Sequence, residues 1–145
     1  LESIGLQPWL VWALLSATFA ALTAIFAKLG VAGVDSDLAT FLRTIIIALV
    51  LGLVLLVTGK LQPAAKISPR VWAFLVASGL ATGASWFCYF RALKVGDAVR
   101  VAPIDKLSVV FVAVIGVALL GEHLSLRGWA GIALIAAGAA LVATS

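Results

Sequence analysis

Charge is scarce in this sequence. Of 145 residues only 11% are Asp, Glu, Lys or Arg, while 64% are hydrophobic and the mean hydropathy is +1.24. A soluble domain carries about 25% charged residues, so this chain cannot clothe a water-facing surface and the bilayer must be most of its solvent. Cysteine is nearly absent too. Cys88 stands alone, which excludes an internal disulfide and a thiolate metal cluster. His123 is the single histidine, so no zinc site built from His and Cys is expected. Methionine is missing even at position 1, so the chain is expected to begin after processing, at an engineered junction or inside a longer protein. Paired carboxylates and nucleophile–base sets are lacking as well; neither an enzyme nor a cofactor is expected. The net charge of +4 comes from Lys and Arg spread singly, mostly at the ends of apolar runs, and no basic cluster speaks for nucleic acid.

What the chain does have is apolar length. A helix needs roughly 20 apolar residues to cross a hydrocarbon core of about 30 Å, and five such stretches fit, near residues 8–27, 38–58, 70–93, 98–121 and 126–145. Between them stand the breakers Gly30 and Gly33, Gly59 with Pro63, Gly96, and the polar segment GEHLS. The pattern predicts an all-α integral membrane protein: one transmembrane domain over residues 1–145 with five transmembrane helices. The first stretch has no basic flank or cleavage site and reads as a retained helix, not a signal peptide. Small residues recur in span 3 (Gly79, Gly83) and span 5 (Gly128, Gly131, Ala136, Gly138). They permit close helix packing in lipid, within the chain or between subunits.

Lys and Arg ought to reveal orientation, and here they do not. Five spans put the termini on opposite sides. The side of the N-terminus then holds Lys60, Lys66, Arg70 and Arg127, and the other side holds Lys28, Arg91, Lys94 and Arg100. Orientation follows the bias between sides, and these sets are equal. Either the chain inserts both ways and pairs with an inverted copy, or a partner half orients it, or the bias is too slight for so few charges to display. The tryptophans are less even: Trp9, Trp12, Trp72 and Trp129 fall near the N-terminal side, as an interfacial belt would place them.

Two spans are too short unless they draw charge inward. Between Lys106 and Glu122 lie 15 residues, roughly 22 Å of helix, and between Arg43 and Lys60 lie 16, roughly 24 Å. Both fall short of the core thickness. Spans 2 and 4 start on the same side, so Arg43 and the Asp105–Lys106 pair descend from one face. Charges inside spans commonly face a cavity and mark a solute or ion path. An Arg43–Asp105 salt bridge, with Lys106 facing the cavity, is the simplest expectation. Pro103 offers another: a helix beginning at the proline, with VRVAP as an extended approach and Asp105 in a first turn, where the helix dipole favours an anion. The two converge if that helix begins inside a cavity. Lys28 could join the cluster or snorkel as an anchor. Thr23, Thr44, Ser85, Trp86, Tyr89 and Arg100 are cavity-lining candidates if they face inward. Arg91 and Lys94 read as anchors of span 3, and Glu122 as part of a solvated turn.

The same residues carry a family resemblance. The stretch VAPIDKLSVVFVAVIGVALLGEHLSLRGWAGIALIAAGAALV resembles the closing part of an EamA-type repeat of the drug/metabolite transporter superfamily, and ASWFCYFRALKVGDA resembles its join between spans 3 and 4. ATFLRT with APIDKLS in one five-span chain is similar to the small bacterial and archaeal members that have one EamA-like repeat. The resemblance implies export or exchange of small metabolites or drug-like solutes by secondary transport, across a prokaryotic cytoplasmic (inner) membrane. It also implies a partner, since fuller relatives surround a central cavity with two inverted repeats; a homodimer is expected, with an inverted pair and dual topology as the form that the balanced charge suits. The small multidrug relatives couple protons through an acid in span 1. This chain has none there, which makes Asp105 the expected carrier if protons are coupled.

The first expectation is therefore a small-solute transporter working by alternating access, with Arg43, Asp105 and Lys106 as its polar core. Two cations and one anion weakly favour an anionic or zwitterionic solute. The alternatives are a non-transporting membrane subunit that packs against a partner protein, and a flippase of lipid-linked solutes.

Overall fold

A computed structural model describes residues 7–63 and 67–145. Lys66, counted above among the orienting charges, lies outside the described residues. The described chain is helical, with six helices: α1 (Pro8–Gly30), α2 (Ser36–Val57), α3 (Pro69–Val95), α4 (Ala98–Asp105), α5 (Ser108–Leu119) and α6 (Leu126–Ala143). No strand occurs among the described residues. Five segments are long and apolar enough to cross a membrane, the fourth being α4 and α5 taken together over Ala98–Leu119. The protein is an all-α, multi-pass integral membrane protein.

Local chemistry sets the helix ends. Proline opens α1 and α3, where its missing N–H leaves no bond unmade. Asp35 caps α2: its carboxylate accepts from the N–H groups of Asp37 (3.0 Å) and Leu38 (3.1 Å). This cap explains why α2 begins at Ser36, two residues before the apolar run. Ser125 caps α6 by accepting from Gly128 N–H at 3.2 Å. At the far end of α2, Gly59 takes φ +64°, so its N–H reaches Leu56 O and that of Lys60 reaches Leu55 O. These are the paired bonds of a Schellman stop, and a glycine adopts the left-handed turn without strain. Gly121 (φ +68°) ends α5 similarly, folding the chain until Glu122 N–H reaches Gly116 O.

The expected extended approach to Pro103 is not what forms. Residues 98–105 are helical, starting where Arg100 and Val101 N–H reach Asp97 O. Pro103 lies inside α4, where it has no N–H for Val99 O, and the helix fails a few residues later. Bonds three residues apart carry the chain through the break: Lys106 to Pro103 O (3.1 Å), Leu107 to Ile104 O (3.0 Å), Val109 to Lys106 O (3.0 Å) and Val110 to Leu107 O (2.9 Å). Asp105 is thus the last residue of a short helix, not part of a first turn, so the helix-start account of its charge does not hold.

The chain divides into two compact units. One comprises the residues up to Lys28 together with Val95–Ser145; the other is Leu29–Lys94. In the first, α6 packs against α4 and α5. Ala139 on α6 and Gly116 on α5 are buried and Gly131 and Ala136 half-buried, so part of the span 5 small-residue face is spent on ordinary packing. In the second unit α2 and α3 are tied by long side chains, and Val31 and Leu93 are fully buried. Gly79 and Gly83 of α3 face open space. Large apolar side chains stay exposed along every span, among them Trp12, Val57, Leu80, Phe111 and Leu141, as lipid-facing positions do.

The capping carboxylate can be tested directly. Asp35→Ala should cost about 1 kcal/mol of unfolding stability in detergent micelles, while Asp35→Asn keeps an acceptor and loses little. Equal losses for both would mean that charge, not the cap bond, matters there.

Candidate functional site

Within the unit Leu29–Lys94, three sequence-expected residues come together. Trp86, Tyr89 and Phe90 follow helical spacing on α3 and share a face. Trp86 meets Tyr89 edge-on (centroids 5.5 Å, 79°) and Phe90 likewise (5.9 Å, 61°). Arg43 of α2 lays its guanidinium over the Trp86 ring, 3.5 Å from the centroid and 5.7 Å from that of Phe90. Arg43 is seven residues inside α2, about 10 Å along the helix. A cation over an indole face gains about 0.5–2 kcal/mol, more as water is removed. A ring contact of this kind uses none of the guanidinium's N–H donors. No carboxylate or carbonyl of this unit, among the described residues, accepts from it. Thr44 beside it is exposed, and its hydroxyl donates to Thr40 O (2.8 Å) in its own helix.

One to two turns nearer the helix ends is a pair that composition and spacing did not reveal. Arg91 holds Asp37 through two parallel bonds, Nε to Oδ1 at 3.0 Å and Nη2 to Oδ2 at 2.8 Å, while its guanidinium lies over Phe87 at 4.1 Å. Asp37 belongs to VDSDLAT, a helix-start signature of acidic residues before an apolar run. That signal could have located the acid, but not its partner on α3. Lys94 donates to Val31 O (2.6 Å) and Val34 O (2.8 Å), tying the end of α3 to the turn before α2. Both expected anchors therefore have specific partners.

In the other unit, Asp105 and Lys106 flank the break between α4 and α5. Their side chains meet at 3.3 Å, with the acid about a third exposed and the lysine more so. Lys106 occupies the C-cap of α4, where the carbonyl end of a helix favours a cation. Arg100 donates to Ser145 O, linking α4 to the segment after α6. Lys28, in the last turn of α1, donates to Gly96 O at 2.8 Å. Thr23 bonds back to Phe19 O (2.8 Å). The Glu122 carboxylate folds over Gly116: a Cβ there would lie 2.8 Å from Oε2. Arg43 and Asp105 belong to different units, and each has a partner within its own, Trp86 for the arginine and Lys106 for the acid.

Comparison with known proteins identifies the family of the chain. The model of the EamA-like transporter family matches residues 7–144. An uncharacterized transporter of the cobO 3′ region in a Sinorhizobium species is 60% identical over 137 residues, covering 94% of this chain and 97% of that protein. No solved structure matches. A transporter of the drug/metabolite kind, and not an enzyme, is what these relationships support. With the match running over residues 7–144 and so through all five apolar spans, the chain belongs to the EamA-like transporter family.

Proposed function

We propose that this chain is a secondary transporter of small solutes, an exporter that works by alternating access as a dimer of single repeats in a prokaryotic cytoplasmic membrane. The break at Asp105–Lys106 carries the reading. Backbone leaves the helical ladder at membrane depth only where protein or a water-filled cavity satisfies it, and charged groups there mark solute or ion paths. Interrupted helices supply such sites in secondary transporters. Arg43, seven residues inside α2, is the charged element of the other unit, and we assign Arg43, Asp105 and Lys106 to substrate binding or coupling, each within its own unit. Lys28 and Arg100, both bonded to carbonyls, tie together segments of the unit that carries the break.

Two features support a partner copy. The outer halves of α2 and α3 are exposed, with open space at Gly79 and Gly83. The Lys and Arg counts on the two sides are equal, which suits a chain inserted both ways and an inverted homodimer. One observation favours a different class of role. Asp105 and Lys106 satisfy each other at 3.3 Å, as they would in a non-transporting subunit with a dry polar cluster.

Two measurements separate these readings. Asp105→Asn should abolish solute flux into proteoliposomes while expression and dimerisation persist; unchanged flux would remove Asp105 from the mechanism, its role as proton carrier included. In a Cys88→Ala background, a single cysteine placed beyond Ser145 should be labelled to about half by a membrane-impermeant thiol reagent on intact cells, relative to lysed cells. Complete or absent labelling would exclude the inverted dimer.

A further inference from the structure

We infer that Arg43 on its Trp86 platform is the receptor for the carboxylate of a small, otherwise apolar monoanion. This rests on the transport reading and names the substrate class that its span 2 element selects.

The guanidinium geometry comes first. Arginine presents five N–H donors in one plane, a fork that matches two oxygens of a carboxylate or phosphate. The guanidinium carbon of Arg43 lies over the Trp86 ring, 3.5 Å from its centroid, and no carboxylate or carbonyl of this unit, among the described residues, accepts from its donors. Stacking restricts the guanidinium without using a donor, so little freedom is left to lose when an oxyanion docks edge-on. A second arginine of this unit that lies over an aromatic ring shows such a fork filled. Arg91 lies over Phe87 and holds the Asp37 carboxylate through two parallel bonds of 3.0 and 2.8 Å. Arg43 repeats the stack with no carboxylate of its unit in the fork.

The surroundings decide the rest of the ligand. The neighbours of Arg43 along its face of α2 are Ala39, Thr40, Ile46 and Ile47, and Thr40 spends its hydroxyl proton on Ser36 O. Across from it stand Phe90 and Tyr89. One cation amid aliphatic and aromatic side chains balances one negative charge and an apolar body; a polyanion would carry unpaired charge into a medium that cannot solvate it.

A lipid phosphate offers similar oxygens, but the side chain does not reach for the headgroups. From the Asp37–Arg91 pair, six residues along α2 lead to Arg43, and five back along α3 lead to Trp86. The guanidinium therefore extends level across the hairpin, not along it toward the helix ends, as snorkelling would require.

The test is calorimetric titration of the purified full chain in phosphatidylcholine nanodiscs with benzoate, with benzylamine and inorganic phosphate as comparators. Benzoate should bind best. Arg43→Gln should abolish its binding, and Arg43→Lys, which keeps the charge but loses the fork, should weaken it roughly tenfold or more. Trp86→Phe should retain part of the affinity that Trp86→Ala loses, and Lys60→Gln, outside the site, should match the parent. Equal heats from the parent and Arg43→Gln would reveal mere partitioning and overturn the inference. So would Arg43-dependent binding seen only in phosphate-free maltoside micelles, which would mean that lipid phosphate holds the guanidinium in a bilayer. Arg43-dependent benzoate binding in a protein that moves no solute would sink the transport reading and leave the receptor standing. Solute flux without such binding would do the reverse.

Discussion

Hydrocarbon offers neither hydrogen bonds nor screening, so every donor, acceptor and charge carried into it must be satisfied by the chain itself or by something the chain holds. The rest of this structure follows from that constraint. Backbone groups are taken up by helices, and helix ends are closed by Asp35, Ser125, Gly59 and Gly121 in the short turns. The few charged side chains are treated individually. Arg91 takes Asp37, Lys94 takes two carbonyls, Lys28 takes the Gly96 carbonyl, and Asp105 takes its neighbour Lys106.

Arg43 is answered differently within its unit, by an aromatic face. A ring quadrupole attracts a cation without consuming its donors. Such a group is held in place with its donors unspent by the ring, which is what the proposed recognition role requires. The α4–α5 break has a comparable character. Pro103 deprives the ladder of one donor, tighter three-residue bonds replace the regular ones, and two opposite charges stand at the discontinuity. Both irregularities fall in the two spans whose uncharged stretches are too short to cross the core alone.

Much of this was legible in the residues. Five apolar stretches bounded by glycine, proline and polar turns appear as five membrane-crossing segments, because hydrophobic length and helix breakers act locally. Arg43 stood out by depth, and Trp86 and Tyr89 as polar-edged aromatics in span 3. What spacing did not show was that they meet, since contact between α2 and α3 depends on how two helices rotate about their axes. Asp37 escaped notice for the same reason: its helix-start position was visible, but its partner 54 residues away was not. The extended reading of VRVAP failed because proline tolerates an interior turn when the bonds around it can shorten.

The sequence by itself determined the solvent, the number of spans, most helix ends and the places where charge enters the membrane. Each depends on residue type and on separations of a few positions. Tertiary structure alone decided the pairings: a ring beneath Arg43, a carboxylate in the fork of Arg91, and carbonyls at Lys28 and Lys94. Those depend on the rotation and register of helices far apart in the chain, and in lipid small differences in side-chain packing set both.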